Sequence, residues 1–292
     1  MMMNFFKTNK KLSKSLLAVF ICMLVICFIA CDNARSGNSE FIEQSRVEHL
    51  VLFKFKPTVT FQEKQEIINR FIALSNSLKD GKRYVKIEYG FQNSKVTAKG
   101  NYDVGFRVTF KSLADRDYYV GKIDGLPVPA SYDQMHDAFK NFVGPYLDVD
   151  DPETNGVLVF DYTSNEKGSG SIPDTGYRLD HWTLFKLKPG ISQIQRQEII
   201  NGFLALKNNT KNGKPYITLV EYGEQNSKEG AGRGFEIGFR SSFTSEADRN
   251  YYEGKPFLTG PGTFDPDHDE YRDFVTPFLD KVLVYDYEVN RP

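Results

Sequence analysis

Cysteine is scarce in this chain and absent from most of it. The three cysteines, Cys22, Cys27 and Cys31, all lie within the first 31 of 292 residues. Everything after them lacks a thiol, which excludes disulfides, a cysteine nucleophile and a thiolate zinc site from the body of the protein. An excess of one charge is also lacking. The 37 Lys and Arg against 38 Asp and Glu leave a formal net charge of −1. The two signs are interspersed, so no strong field exists to draw in nucleic acid. Tryptophan occurs once, at Trp182, and histidine only four times. What is abundant is apolar and aromatic: 40% of residues are hydrophobic, with 24 Phe and 16 Tyr, enough for sizeable packed cores.

The one long apolar run extends from Leu16 to Ala30, behind Lys7, Lys10, Lys11 and Lys14. It is short for a membrane span and has the flanks of a secretory leader. Phe28 to Cys31, FIAC, resembles the lipobox of bacterial lipoproteins, with Phe28 where Leu is usual. That resemblance implies a signal peptide over 1–31 and a lipidated Cys31. It also implies a bacterial cell-envelope location, on the periplasmic face or the cell surface, with membrane contact through the lipid anchor only. Residues 32–45, rich in Asn, Ser, Gly and Glu, read as a tether.

The body is written twice. HDAFKNFVGPYLD at His136–Asp148 returns as HDEYRDFVTPFLD at His268–Asp280. The four histidines obey the repeat: 181 − 49 and 268 − 136 both equal 132. Each copy opens on an alternating stretch, VEHLVLFKF from Val47 or LDHWTLFKL from Leu179, which predicts a strand buried on both faces. Thr60 with Glu63, and Ser192 with Gln195, have capping-box spacing ahead of an amphipathic helix. Asp80-Gly81 and Asn212-Gly213 are expected to stop those helices with a left-handed residue. Two further strands, a second helix opened by Ser112 or Ser245, the repeated HDxx segment and a closing VLVxDY strand complete each copy. The order β-α-β-β-α-β is that of a ferredoxin-like unit, an α+β fold. One such sheet leaves a face bare, so the two repeats are expected to pair sheet to sheet as an α/β barrel, an intrachain pseudo-dimer. The expected domains are 46–162 and 178–290, joined by a Gly- and Ser-rich linker at 163–177. Arg107 and Arg240 are expected at the interface between copies, paired along their own strands with Asp103 or Glu236.

The pattern V-x-H-x-V-x-F-K-F, then F-x-S with a later Tyr-Tyr pair, then H-x-x-[FY] and V-x-D-Y, resembles the stress-responsive A/B barrel (Dabb) domain. The resemblance covers nearly all of 46–162 and 178–287. It implies domains that pair through their sheets, and a family that includes a plant polyketide cyclase acting without metal or organic cofactor. Carried over by position, that cyclase's catalytic tyrosine falls at Tyr119 and Tyr252, and its catalytic histidine at His136 and His268. Its first-strand histidine falls at His49 and His181. A further pocket histidine is replaced here by Val104 and Ile237. Two inserts, Val120–Met135 and Glu253–Asp267, stand where the family has a very short link.

On this reading His136 or His268 would act as base and Tyr119 or Tyr252 would bind a developing oxyanion. The bland alternative makes those histidines hydrogen-bonded hinges into the last helix. His49, His181, Trp182, Val104 and Ile237 are candidate ligand-binding residues, with core packing as the alternative. No two histidines are close in sequence, so no metal site is expected; the resemblance to the cyclase implies no cofactor. Three function classes follow: a binding module for a small apolar or aromatic molecule, ranked first; a cofactor-free enzyme of the cyclase or monooxygenase-like type; and a structural or stress-related assembly protein.

Overall fold

The computed structural model describes residues 46–164 and 175–291. The leader, Cys31, the tether and most of the linker lie outside the described residues. Among the described residues no helix is long and apolar enough to cross a membrane.

The first repeat runs β1 Val47–Phe53, α1 Phe61–Ala73, the short pair β2 Leu78–Lys79 and β3 Lys82–Arg83, then β4 Lys86–Phe91 and β5 Val104–Phe110. It continues with α2 Leu113–Val120, α3 Gln134–Val143 and β6 Val157–Thr163. The second repeats the order: β7 Leu179–Leu187, α4 Gln193–Ala205, β8 Thr210–Lys211, β9 Lys214–Pro215, β10 Leu219–Glu224 and β11 Ile237–Phe243. After these come α5 Glu246–Glu253, α6 Pro266–Val275 and β12 Leu279–Glu288. Each repeat forms a four-stranded antiparallel sheet, ordered β4-β5-β1-β6 and β10-β11-β7-β12.

Both capping boxes form as expected, the Thr60 and Ser192 hydroxyls accepting from the third-position amides, each worth about 1 kcal/mol. The Asp-Gly and Asn-Gly pairs do something other than stop a helix. Helices α1 and α4 end earlier, in 3-10 turns over Leu74–Asn76 and Leu206–Asn208. Asp80 (φ 51°) and Gly81 (φ 75°) instead form the tip between β2 and β3, and Asn212 with Gly213 the tip between β8 and β9. Two consecutive left-handed residues are what a two-residue hairpin turn requires.

Strand alternation then makes three apolar layers. Val47, Val51 and Phe53 of β1 face α1 and α3 in a first core, and the second repeat builds an equivalent core. Leu50, Leu52, Phe160 and Tyr162 point the other way and meet Trp182, Leu184, Tyr285 and Tyr287 in a layer between the sheets. The barrel closes at the sheet edges, where Tyr89 and Asn290 exchange backbone hydrogen bonds of 3.0 and 2.8 Å.

Eight charged side chains cross this inter-sheet layer in a near-symmetric network. Arg107 donates to Glu48 (2.7 Å) and Glu88 (2.6 Å); Arg240 donates to Asp180 (3.1 Å) and Glu221 (2.8 Å). Arg178 of the second repeat bonds Glu88 of the first, and Arg46 of the first bonds Glu221 of the second. The same-strand partners expected for Arg107 and Arg240 are therefore replaced by cross-strand ones. Four residues along a strand span about 13 Å, whereas a carboxylate on the neighbouring strand is about 5 Å away. Asp103 pairs with Lys54 and Lys64 instead, and Glu236 with Arg196.

Candidate acid–base pockets

Each repeat holds a cavity between its sheet and its last helix, and the other repeat's loop closes it. In the second repeat the cavity measures about 440 Å³ and is walled by His181, Thr183, Phe203, Glu253, His268 and Tyr271, with Val96, Thr97 and Ala98 entering from the first repeat. The first repeat's cavity is about 240 Å³, walled by His49, Phe71, His136 and Phe139, with Glu229 and Ala231 entering from the second repeat. The larger one falls within the size range of small-molecule sites.

The first-strand histidines sit on the helix-facing side of their strands, beside an aspartate of the closing strand. His49 Nδ1 lies 2.6 Å from Asp161 Oδ1, and His181 Nδ1 lies 2.7 Å from Asp286 Oδ1. These pairs follow from register, because His49 is opposite Asp161 and His181 opposite Asp286. A helix arginine holds each aspartate's second oxygen: Arg116 at 2.5 Å from Asp161 and Arg249 at 2.6 Å from Asp286. Burial opposes a charge on His49, but the Asp161 carboxylate and its hydrogen bond outweigh it, so this histidine titrates above its usual range. Asp161 is held below the usual carboxylate range, burial being overcome by His49 and Arg116.

A glutamate completes each group. Glu229 Oε2 lies 4.0 Å from His49 Nδ1, and Glu253 Oε1 lies 4.0 Å from His181 Nδ1. Burial, and then the neighbouring Asp286, push the Glu253 carboxyl up to about 9. Burial raises Glu229 as well. Geometry agrees: Glu229 Oε2 and Glu253 Oε2 are buried without a hydrogen-bond partner, and the 2.7 Å contact of Asp286 Oδ1 with His181 Nδ1 is out of hydrogen-bond alignment, so a proton on Glu253 supplies the donor that Asp286 lacks. In each group the three donor atoms fall within 4.8 Å of one another, as for a cation. The buried guanidinium already supplies the counter-charge there, which favours a shared proton over a divalent ion.

The residues expected to be catalytic occupy a different position. His136 Nδ1 donates to the Tyr119 carbonyl at 2.7 Å, and its ring stacks on Tyr119 with centroids 3.8 Å apart. His268 stacks on Tyr252 at 3.9 Å. Burial, then Lys140 and His49, hold His136 well below the usual histidine range; burial, then His181 and Arg272, lower His268 to about 3. Both histidines reach a pocket wall as neutral, weakly basic rings, while Tyr119 and Tyr252 lie beneath them with buried, unpartnered hydroxyls. Among the candidate ligand-binding residues, only His49 and His181 reach the cavities. Trp182 is next to His181 on the strand and so points the opposite way, into the inter-sheet layer, 5.9 Å from Tyr162 and under Arg240. Val104 and Ile237 are fully buried in the helix-side cores, away from either cavity wall.

Asp161, Asp286, Arg116, Arg249, Glu229 and Glu253 join the site without being among the residues expected there. The repeated VxDY and ADR motifs signal the first four. Nothing comparable signals the glutamates, because each breaks the repeat.

The family description of the stress responsive A/B barrel domain matches residues 47–164 and 179–289. The chain belongs to this family. No curated protein matches it. Among solved Dabb-like folds, an anthrone oxidase-like protein is 10% identical, with TM-score 0.54, over 85% of this chain and 92% of its own. A candidate monooxygenase from Fusobacterium nucleatum is 9% identical, with TM-score 0.50, over 85% and 94%. A protein from Arabidopsis thaliana is 28% identical over one repeat's length, 37% of this chain and 92% of its own, with TM-score 0.31. The two longer likenesses show the fold alone. This Dabb chain carries both domains of the barrel within one polypeptide.

Proposed function

We propose that this Dabb protein is a cofactor-free acid–base enzyme that binds a small apolar or aromatic carbonyl compound in the second repeat's pocket. The observation that carries the reading is the Glu253 carboxyl in the wall of that cavity, facing Asp286 and 4.0 Å from His181. A glutamic acid holding its proton near neutral pH beside a histidine–aspartate pair is an acid and a base in one site. In the proposed step the substrate displaces the Thr183 hydroxyl, which lies 2.9 Å from His181 Nε2, and Nε2 takes a proton from the carbon beside the carbonyl. Glu253 gives its proton to the carbonyl oxygen, leaving an enol, an imidazolium and a carboxylate. Loss of the Nε2 proton to water and reprotonation of Glu253 from water restore the site. The apolar walls, including Phe203, Val275 and Val284, exclude water and strengthen these interactions.

Proton NMR in D₂O tests this with acetophenone and its ring-substituted relatives. The protein is expected to speed deuterium uptake at the methyl group, and His181→Ala or Glu253→Gln to slow it by roughly 10²-fold or more. No uptake above buffer across the series, with bound ketone detected, would leave a binding module instead. The covered Tyr252 hydroxyl favours that second reading, since it withdraws one polar group from the pocket.

We also propose that the protein is anchored to the bacterial envelope through Cys31, which rests on the leader alone. Metabolic labelling with an alkynyl fatty acid should mark the wild type and not Cys31→Ser; equal labelling would refute it.

A further inference from the structure

The two pockets hold the same carboxyl group in the same place, supplied by opposite routes. In the first pocket it is Glu229, from the β10–β11 loop of the other repeat; in the second it is Glu253, from the pocket's own helix α5. The repeat alignment makes the exchange explicit. QNSK at Gln92–Lys95 matches Gln225–Lys228, so Val96 occupies the position of Glu229; Tyr119 matches Tyr252, so Val120 occupies the position of Glu253. Wherever one route carries glutamate, the other carries valine. Val96 lines the second pocket where Glu229 lines the first. Both arrangements end at the same separation, 4.0 Å from the first-strand histidine Nδ1. Chance substitution would produce neither the reciprocal valines nor the matched distance.

We infer that Glu229 and Glu253 are one functional group, the proton-carrying acid of two working pockets, and that the first pocket is complete only when the second repeat contributes its loop. The inference rests on the acid–base reading of the second pocket and extends it to a second site with its own size limit. The groups facing Glu229 are His49 and Asp161 from the strands, Arg116 from α2 and Lys140 from α3. Glu253 faces His181, Asp286 and Arg249, and the first repeat's Ser94 hydroxyl donates to it at 3.0 Å. Lys255, His268 and Arg272 line the same cavity. One aspartate and one arginine accompany the glutamate in each case, so the two acids sit in matched surroundings. The first cavity, at about 240 Å³ against about 440 Å³, would take the smaller member of the same chemical class.

The test is a ¹³C NMR pH titration of the full chain labelled at the glutamate δ-carboxyl, which reads the acids without any substrate. The wild type is expected to show two glutamates whose midpoints stand above the ordinary glutamate range. Glu229→Gln should remove one and Glu253→Gln the other. The relocated pair Glu229→Val with Val120→Glu should regain the lost high-midpoint signal, a rescue that a packing role would not produce; circular dichroism confirms folding of each variant. The inference is overturned if either Gln variant leaves both signals in place, or if the relocated acid titrates like an exposed glutamate. It is also overturned if the signals depend on a stoichiometric divalent metal that a chelator removes. Failure of the ketone assay alone would count against the proposed reaction, since it leaves this titration unchanged.

Discussion

The Glu229 carboxyl, carried by the second repeat, lies 4.0 Å from Nδ1 of His49 in the first, across 180 positions of sequence. Hydrogen bonds on Val159 and Asp161 hold the loop that carries it against β6: the Ala231 carbonyl accepts from the Val159 amide at 3.1 Å, Gln225 Nε2 donates to the Val159 carbonyl at 2.9 Å, and the Asn226 amide donates to the Asp161 carbonyl at 2.8 Å. Each site is thus assembled from both halves of the chain. A lone repeat would expose both the sheet face and the pocket mouth, which gives a physical reason for the two copies to be fused.

Glu253 gives the protein a pH-dependent stability. Its folded carboxyl is raised to about 9 from a reference of 4.5, so between those values the folded state holds a proton that the unfolded state releases. Stability therefore falls as pH rises through this window, by up to ~1.4 kcal/mol per pH unit from this group. His268 acts at the other end: lowered to about 3 from 6.5, it makes stability fall as pH drops through that range. Urea unfolding from pH 5 to 9 should show Glu253→Gln with a flatter alkaline limb than the wild type. Parallel curves would mean that Glu253 is ionised when folded.

The inter-sheet network predicts a strong penalty for losing one partner. Glu88 accepts from Arg107 and Arg178, both buried. Glu88→Gln leaves two guanidiniums short of a counter-charge and should destabilise by roughly 3–5 kcal/mol. Arg178→Met should cost about as much alone, and the double variant less than the sum of the two. Additive losses in chemical denaturation would show that these charges do not act together.

Close approach between the repeats depends on glycine. A Cβ on Gly223 would lie 2.2 Å from the Tyr162 ring, and one on Gly90 would lie 2.4 Å from Tyr287. Gly223→Ala should therefore destabilise by about 1–3 kcal/mol or more. Gly144 has nothing within 4 Å of an added Cβ and an ordinary helical backbone, so Gly144→Ala should be neutral or slightly stabilising. Equal melting shifts for the two would contradict the packing described.

Ala98 belongs to the first repeat and lines the second repeat's pocket. Ala98→Phe should fill the larger cavity and weaken binding of any aryl ketone there by roughly tenfold or more, as expected when the space a ligand would occupy is taken, with little change in melting temperature. Isothermal titration with acetophenone measures this, and unchanged affinity would place the ligand elsewhere.

Much of this architecture is legible in the amino-acid sequence. The 132-residue histidine spacing identifies the repeats, and period-two alternation assigns the faces of β1 and β7, down to His49 turning toward the helices and Leu50 toward the other sheet. Asp161 and Asp286 are visible in a repeated motif, but pairing them with His49 and His181 needs the register of β1 with β6 and β7 with β12. The Asp-Gly and Asn-Gly pairs are ambiguous because the same left-handed residues end a helix or tip a hairpin, and only the intervening 3-10 turn decides between them. Trp182 borrows its apparent place in the pocket from its neighbour His181, although adjacent strand residues face opposite sides. Glu229 and Glu253 are hidden for a deeper reason: repetition is the guide to this chain, and the acid occurs at non-equivalent positions.

The most direct test of the central claim is native mass spectrometry of the protein purified from its own host, beside His181→Ala and Glu253→Gln. The account predicts a small apolar or aromatic carbonyl compound retained by the wild type and changed or lost in the variants. A wild-type protein that emerges free of any such molecule, and that leaves added aryl ketones unbound, would contradict it.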